Sequence, residues 1–143
     1  MELEGALVAV SVLAAAGAFG LVRRSRDGRL RAVEQRDDRG DDRIGPSDLG
    51  AELGERATLV QFSSAFCAPC RSTRRVLGEV AGMVGGVAHV EIDAEARLDL
   101  VRRLNVVRTP TVLVLDAGGR IVQRASGQPR KADVIAALGL AIT

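Results

Sequence analysis

"LVQFSSAFCAPCRSTRRVL", from Leu59 to Leu77, contains both cysteines of the chain, Cys67 and Cys70. Its opening, with Thr58 in front, is an apolar and β-branched run suited to a buried strand. Its second half begins a helix predicted from Pro69 to about Val84. There Val76, Leu77, Val80, Met83 and Val84 recur at spacings of three and four, and Gly85-Gly86 ends the pattern. Pro69 suits the first helical turn, where its missing N–H is not needed. The cysteine pair therefore occupies a strand-to-helix turn at the carboxyl edge of a sheet.

Two cysteines separated by two residues bind a metal, staple a loop or exchange electrons. A structural zinc site needs a full tetrahedral ligand set, and the chain offers two cysteines and one histidine. Only a site shared between two copies would complete it. As a staple the pair closes a very small loop and stabilises little, and secreted disulfide scaffolds carry more cysteines than this. Electron exchange fits best. The dipole and unpaired N–H groups at a helix start favour a thiolate at Cys67, and Arg71, Arg74 and Arg75 add to the field. Cys70, one turn further in, is placed to attack a mixed disulfide held on Cys67. The catalytic pair is thus Cys67 and Cys70, cycling through a Cys67–Cys70 disulfide.

Upstream, "PSDLGAEL" predicts a short helix from Pro46 to near Gly54 with Ser47 as N-cap. "VAHVEI" at Val87–Ile92 is a second strand. An amphipathic helix follows at Ala94–Leu104, with Leu98, Val101 and Leu104 on one side. "TVLVLD" at Thr111–Asp116 is a third strand, turned by Ala117-Gly118-Gly119 into "RIVQRAS". A last helix runs from Pro129 to Leu140 with Val134, Ile135 and Leu138 inward. Strands joined by helices are expected to pair in parallel, with the final hairpin antiparallel. The fold class is α/β: a small mixed sheet with helices on both faces.

The N-terminal stretch Gly5–Val22 has no charge over eighteen residues, against the about 20 that a transmembrane helix needs. Glu2 and Glu4 precede it, and Arg23, Arg24, Arg26, Arg29 and Arg31 follow. A cleaved signal peptide has the opposite order, although "AAAGAFG" resembles a cleavage region. The positive-inside tendency keeps the arginine side in the cytoplasm. The reading is an uncleaved single-pass anchor with a cytoplasmic C-terminal domain; an exported domain is the alternative. Residues 1–22 form the anchor, 23–45 a charged linker in which "LRAV" at Leu30–Val33 is a candidate first strand, and 46–143 the folded domain.

At 143 residues the chain is long enough for one domain with its own core. Phe19, Phe62 and Phe66 are the only aromatics, so that core is built from Val, Leu, Ile and Ala. A net charge of +2 gives no reason to expect a nucleic-acid partner.

The stretches "LVQFSSAFCAPCRSTRRVL", "VEIDAEARLDLVRRLNVVRTPTVLVLD" and "GGRIVQRASG" resemble the thioredoxin family in order and spacing, over Pro46 to about Leu140. The resemblance implies a thioredoxin-like fold and a protein-disulfide oxidoreductase without an organic cofactor. Its partners would be protein disulfides and a separate electron-donating reductase. Pro110 matches the family's cis-proline, and Gly127 the glycine before the last helix in a loop flanking the substrate groove. Substrate-facing positions on this basis are Phe66, Ala68, Pro69, Thr109, Pro110 and Gly127. Phe66 stands where the family has tryptophan, and Ala68 where it has glycine. Gln61 replaces a buried acid that handles the proton of the second thiol, and His89 replaces a nearby lysine; the two form a candidate proton relay. The same resemblance leaves open an exported, tethered thiol–disulfide protein serving cytochrome c maturation or envelope disulfides. That group carries an insertion for which Ile92–Thr111 looks too short. A non-catalytic binding module of the same fold is the alternative of another class.

Overall fold

The computed structural model describes residues 2–33 and 43–143. Most of the charged run "RDDRGDDR" lies outside them. The elements are α1 (Glu2–Arg26), β1 (Arg31–Ala32), α2 (Pro46–Leu49), β2 (Ala57–Ser63), α3 (Ala68–Met83), β3 (Val87–Asp93), α4 (Leu98–Arg103), β4 (Thr111–Asp116), β5 (Ile121–Ser126) and α5 (Lys131–Ile142).

The five strands form one sheet in the order β1-β5-β4-β2-β3. Successive strand residues point to opposite faces, and the sequence fills both. Ala57, Leu59, Val112 and Val114 pack with Leu77 and Val80 of α3 and with Val134 and Leu138 of α5. On the other face Val60, Phe62, Leu113 and Leu115 pack with Leu49 of α2 and Leu100 of α4. β2 is buried along its whole length, which explains its mostly apolar pattern, with Thr58, Gln61 and Ser63 as the polar residues.

β2 and β3 are parallel as expected, with α3 as the crossover. β4 differs from expectation: it pairs with β2 antiparallel although a helix precedes it. The six residues of α4 rise only about 9 Å, far less than the roughly 23 Å of a seven-residue strand. α4 does not carry the chain back along the sheet as α3 does, and β4 starts at the end where β3 left it and runs back. This reversal puts the start of β4 beside the end of β2, with Thr111 opposite Phe62.

Other local expectations shift. Ser47 is not the N-cap of α2: Gly45 is, and its N–H donates to Asp48 Oδ2 at 2.9 Å. That helix ends at Leu49, where Gly50 takes a left-handed conformation, rather than near Gly54. α4 starts at Leu98, and Leu98 faces solvent while Leu100 and Leu104 are buried. Ile135 is likewise exposed, and Ala137 and Ala141 complete the inner face of α5.

The apolar helix α1 is long and apolar enough to cross a membrane over Leu3–Arg26. It continues through Arg23–Arg26, and "LRAV" does join the sheet: Arg31 and Ala32 pair antiparallel with Arg124 and Gln123 of β5. Val33 N–H donates to the Val122 carbonyl. The bridge Arg43–Arg120 and buried Ile44 begin the next described stretch. Folded structure thus begins within residues that read as linker. The pairing of the predicted "LRAV" strand with β5 is the reason.

Candidate active site

Three chain segments meet at the carboxyl end of β2. The first is the turn out of β2. Cys67 is the N-cap of the sixteen-residue α3, with Pro69 in its first turn. The two cysteines form a disulfide, Cα to Cα 5.2 Å. The Cys70 N–H donates to Cys67 Sγ at 3.2 Å, so the helix start supplies a donor to that sulfur. Cys67 is partly exposed, whereas Cys70 is buried. That asymmetry separates an accessible sulfur from a sheltered one. Phe66 is fully exposed beside them, as are Ala68 and Pro69 to a lesser degree.

The second segment is the start of β4. The Thr109-Pro110 bond is cis, and Pro110 is buried. The Thr109 and Ser64 hydroxyls lie 2.9 Å apart, tying this segment to the β2 turn. The third is the loop after β5, where the Gly127 N–H donates to the Pro110 carbonyl at 2.7 Å. Gly127 has φ 100, a conformation that favours glycine. The structure thus brings Phe66, Ala68, Pro69, Thr109, Pro110 and Gly127 to one edge of the sheet.

Behind Cys70 lies a polar cluster between α3 and the sheet. Gln61 is completely buried. Its Nε2 donates to the Cys70 carbonyl at 2.8 Å and to Ser63 Oγ at 2.9 Å. With the amide nitrogen used as donor, its Oε1 accepts from His89 Nε2–H at 3.2 Å. Burial pushes the His89 imidazole below its ordinary range; the neighbouring Glu91 carboxylate opposes this and Arg74 adds to it. Glu91 is itself lowered, chiefly by its ion pair with Arg74, which links α3 to β3. An amide does not titrate, so within the Gln61–His89 pair only His89 changes charge.

This environment has a measurable consequence. Because His89 binds a proton less readily folded than unfolded, the unfolded chain takes up more protons as pH falls through the ordinary value of 6.5. Folding stability should therefore decline as pH drops from 7 towards 5. A His89→Gln variant should flatten that decline while leaving the acid unfolding of the carboxylates at lower pH. Denaturant unfolding followed by circular dichroism at several pH values measures it.

Sequence reasoning missed Ser63, Ser64, Arg108 and Asp27. Ser63 and Ser64 are visible only as small polar residues at a strand end. Arg108 donates to the Ser126 carbonyl at 2.6 Å and pairs with Asp27, which lies 81 positions away. Nothing local in the sequence signals that contact.

A family model described as Thioredoxin matches residues 49–139. The thioredoxin of Mycolicibacterium smegmatis is 31% identical over 105 residues, which cover 71% of this chain and 90% of that protein. The thioredoxin of Gallus gallus is 31% identical over 84 residues, 57% of this chain and 79% of that one. Among solved structures, chloroplastic thioredoxin z superposes with a TM-score of 0.53 at 30% identity, covering 61% of this chain and 79% of that one. A thioredoxin variant from Halobacterium salinarum shares the fold at a TM-score of 0.57 and 19% identity, over 62% of this chain and 77% of that one.

Proposed function

The chain belongs to the thioredoxin family of thiol–disulfide oxidoreductases, and from that premise we propose that it reduces protein disulfides at the cytoplasmic face of a membrane. The observation that carries the redox reading is the pair itself: a partly exposed Cys67 capping α3 and a buried Cys70 within disulfide distance of it. The Cys67 thiolate attacks one sulfur of a substrate disulfide, forms a mixed disulfide and expels the first substrate thiolate. The Cys70 thiolate then attacks Cys67 Sγ, closes the Cys67–Cys70 bond and expels the second. Two electrons pass to the substrate, whose thiolates take up two protons. A separate dithiol reductase then returns the pair to its reduced form.

Pro110, Thr109 and Gly127 form one wall of the docking groove in this reading, and Phe66, Ala68 and Pro69 the other. His89 acts as the titrating group behind Cys70, with Gln61 as the fixed connector to the Cys70 turn. If Gln61→Ala and His89→Ala both leave turnover and its pH profile unchanged, that connection has no part in the reaction.

Insulin reduction tests the activity. With dithiothreitol as the electron source, the purified chain should accelerate insulin precipitation, and Cys67→Ser should reduce the rate to that of dithiothreitol alone. A wild-type chain no faster than dithiothreitol would identify a non-catalytic binding module instead.

Placement at the cytoplasmic face rests on α1 and the arginines Arg23, Arg24 and Arg26 in its last turn. Labelling intact, reductant-treated cells with a membrane-impermeant thiol reagent checks it. Cys67 should react only after lysis; strong labelling beforehand would assign the domain to the exported, envelope-facing alternative.

A further inference from the structure

The end of α1 is not separated from the groove by a tether. Asp27 follows the last helical residue directly, and its N–H still donates to the Arg23 carbonyl at 3.1 Å. The Asp27 carboxylate pairs with Arg108, two residues before Pro110. It also covers Gly127 so closely that a Cβ there would collide with its oxygens. Gly28, with φ 69, donates its N–H to the Ser126 carbonyl at 2.9 Å, and a side chain at Gly28 would strike the Gln128 backbone. Only four residues then separate Arg26 from β1, which hydrogen-bonds to β5. A crevice of about 290 Å³ at this junction is lined by Phe19, Val22, Arg23, Arg26, Asp27 and Arg108. The domain thus reaches back along the last two turns of α1.

Depth follows from these contacts. Val22 ends the uncharged stretch, and Asp27 stands five residues further on, a rise of about 8 Å. That is close to the thickness of one headgroup layer. Asp27 and Gly28 buttress the groove loop, so the groove wall starts at the outer limit of the headgroups. Cys67 lies three residues from Ser64, whose hydroxyl meets Thr109, a span of at most about 11 Å. Adding the contacts that join these segments, the whole site lies within roughly 40 Å of the hydrocarbon boundary.

We infer that α1 is a rigid mount rather than a leash, and that the substrates are disulfides in the membrane-proximal segments of integral membrane proteins. The inference rests on the oxidoreductase and membrane-anchor readings above. A flexible linker would let the domain sample a broad hemisphere. The Asp27–Arg108 and Gly28–Ser126 contacts instead fix the height of the groove and its direction relative to α1. Disulfides held far from the bilayer are out of range, whereas those at the surface meet a high effective concentration of Cys67. The chemistry is the two-electron exchange already described, with a dithiol resupplying the electrons.

The test uses the full chain in vesicles of phosphatidylcholine and phosphatidylglycerol with dithiothreitol present. The substrates are two lipid-anchored, fluorescence-quenched peptides, each with one disulfide. One holds the disulfide at the surface, and the other raises it about 60 Å on a polyproline spacer. Wild type should reduce the surface probe at least about tenfold faster than the raised one. Inserting a twenty-residue Gly/Ser segment, with a reach of about 25 Å, between Arg26 and Asp27 should lower that ratio severalfold while leaving reduction of soluble insulin unchanged. Equal ratios in the two proteins would overturn the inference alone. Failure of wild type to reduce insulin would overturn the oxidoreductase reading, and failure to float with the vesicles would overturn the anchor reading; either removes the inference with it.

Discussion

A Cys70→Ser variant of the full chain is expected to hold its substrates covalently. Cys67 keeps its position as N-cap of α3, so the first thiolate attack still forms a mixed disulfide. What is removed is the sulfur that displaces the substrate from Cys67. The chain has no third cysteine, so no other thiol of its own replaces it. Partners should accumulate as adducts on non-reducing gels and disappear with dithiothreitol. Wild type should show few, because its second step is intramolecular and fast. Cys67→Ser should show none, since the buried Cys70 is sheltered from protein disulfides. Adducts formed equally by both serine variants would contradict the assigned order of attack.

Phe62→Ala carries the largest expected effect on stability. Phe62 is the largest fully buried side chain and packs with Val60, Leu113 and Leu115 on the face covered by α2 and α4. Truncating a buried phenylalanine costs about 3–5 kcal/mol through lost transfer energy and an unfilled cavity. That is a large fraction of the about 5–15 kcal/mol that holds a domain folded. Phe62 also lies opposite Thr111 and immediately before Ser63 and Ser64. Its loss therefore loosens the strand end that carries the cysteine turn. Thermal unfolding in detergent should show Tm lowered by more than about 10 °C. An exposed counterpart, Leu98→Ala, should change Tm by no more than a degree or two.

Much of this was legible from single stretches of sequence. The largely apolar run at Thr58–Phe62 reflects a strand buried on both faces, and the proline after Cys67 marks the helix start. The resemblance singled out Pro110 and Gly127 together, and the two residues do share a hydrogen bond. What local reading missed depends on distant partners. The direction of β4 follows from the shortness of α4, because an eleven-residue amphipathic pattern supports only six helical residues. Leu98 and Ile135 match helical spacing, but the sheet covers Leu100, Ala137 and Ala141 instead. The junction of Asp27 with Arg108 spans 81 positions and has no periodicity to betray it. It turned an apparent linker into part of the site's architecture.

A single-turnover exchange without added reductant follows the electrons through the Cys67–Cys70 pair. The chain, fully reduced and freed of dithiothreitol, is mixed with a small excess of insulin, then alkylated and analysed by mass spectrometry. Cys67 and Cys70 should become joined to each other in step with the appearance of new insulin thiols, two per chain oxidised. If insulin thiols appear while both cysteines stay alkylatable, or if neither protein changes, the Cys67–Cys70 pair is not the carrier of the electrons.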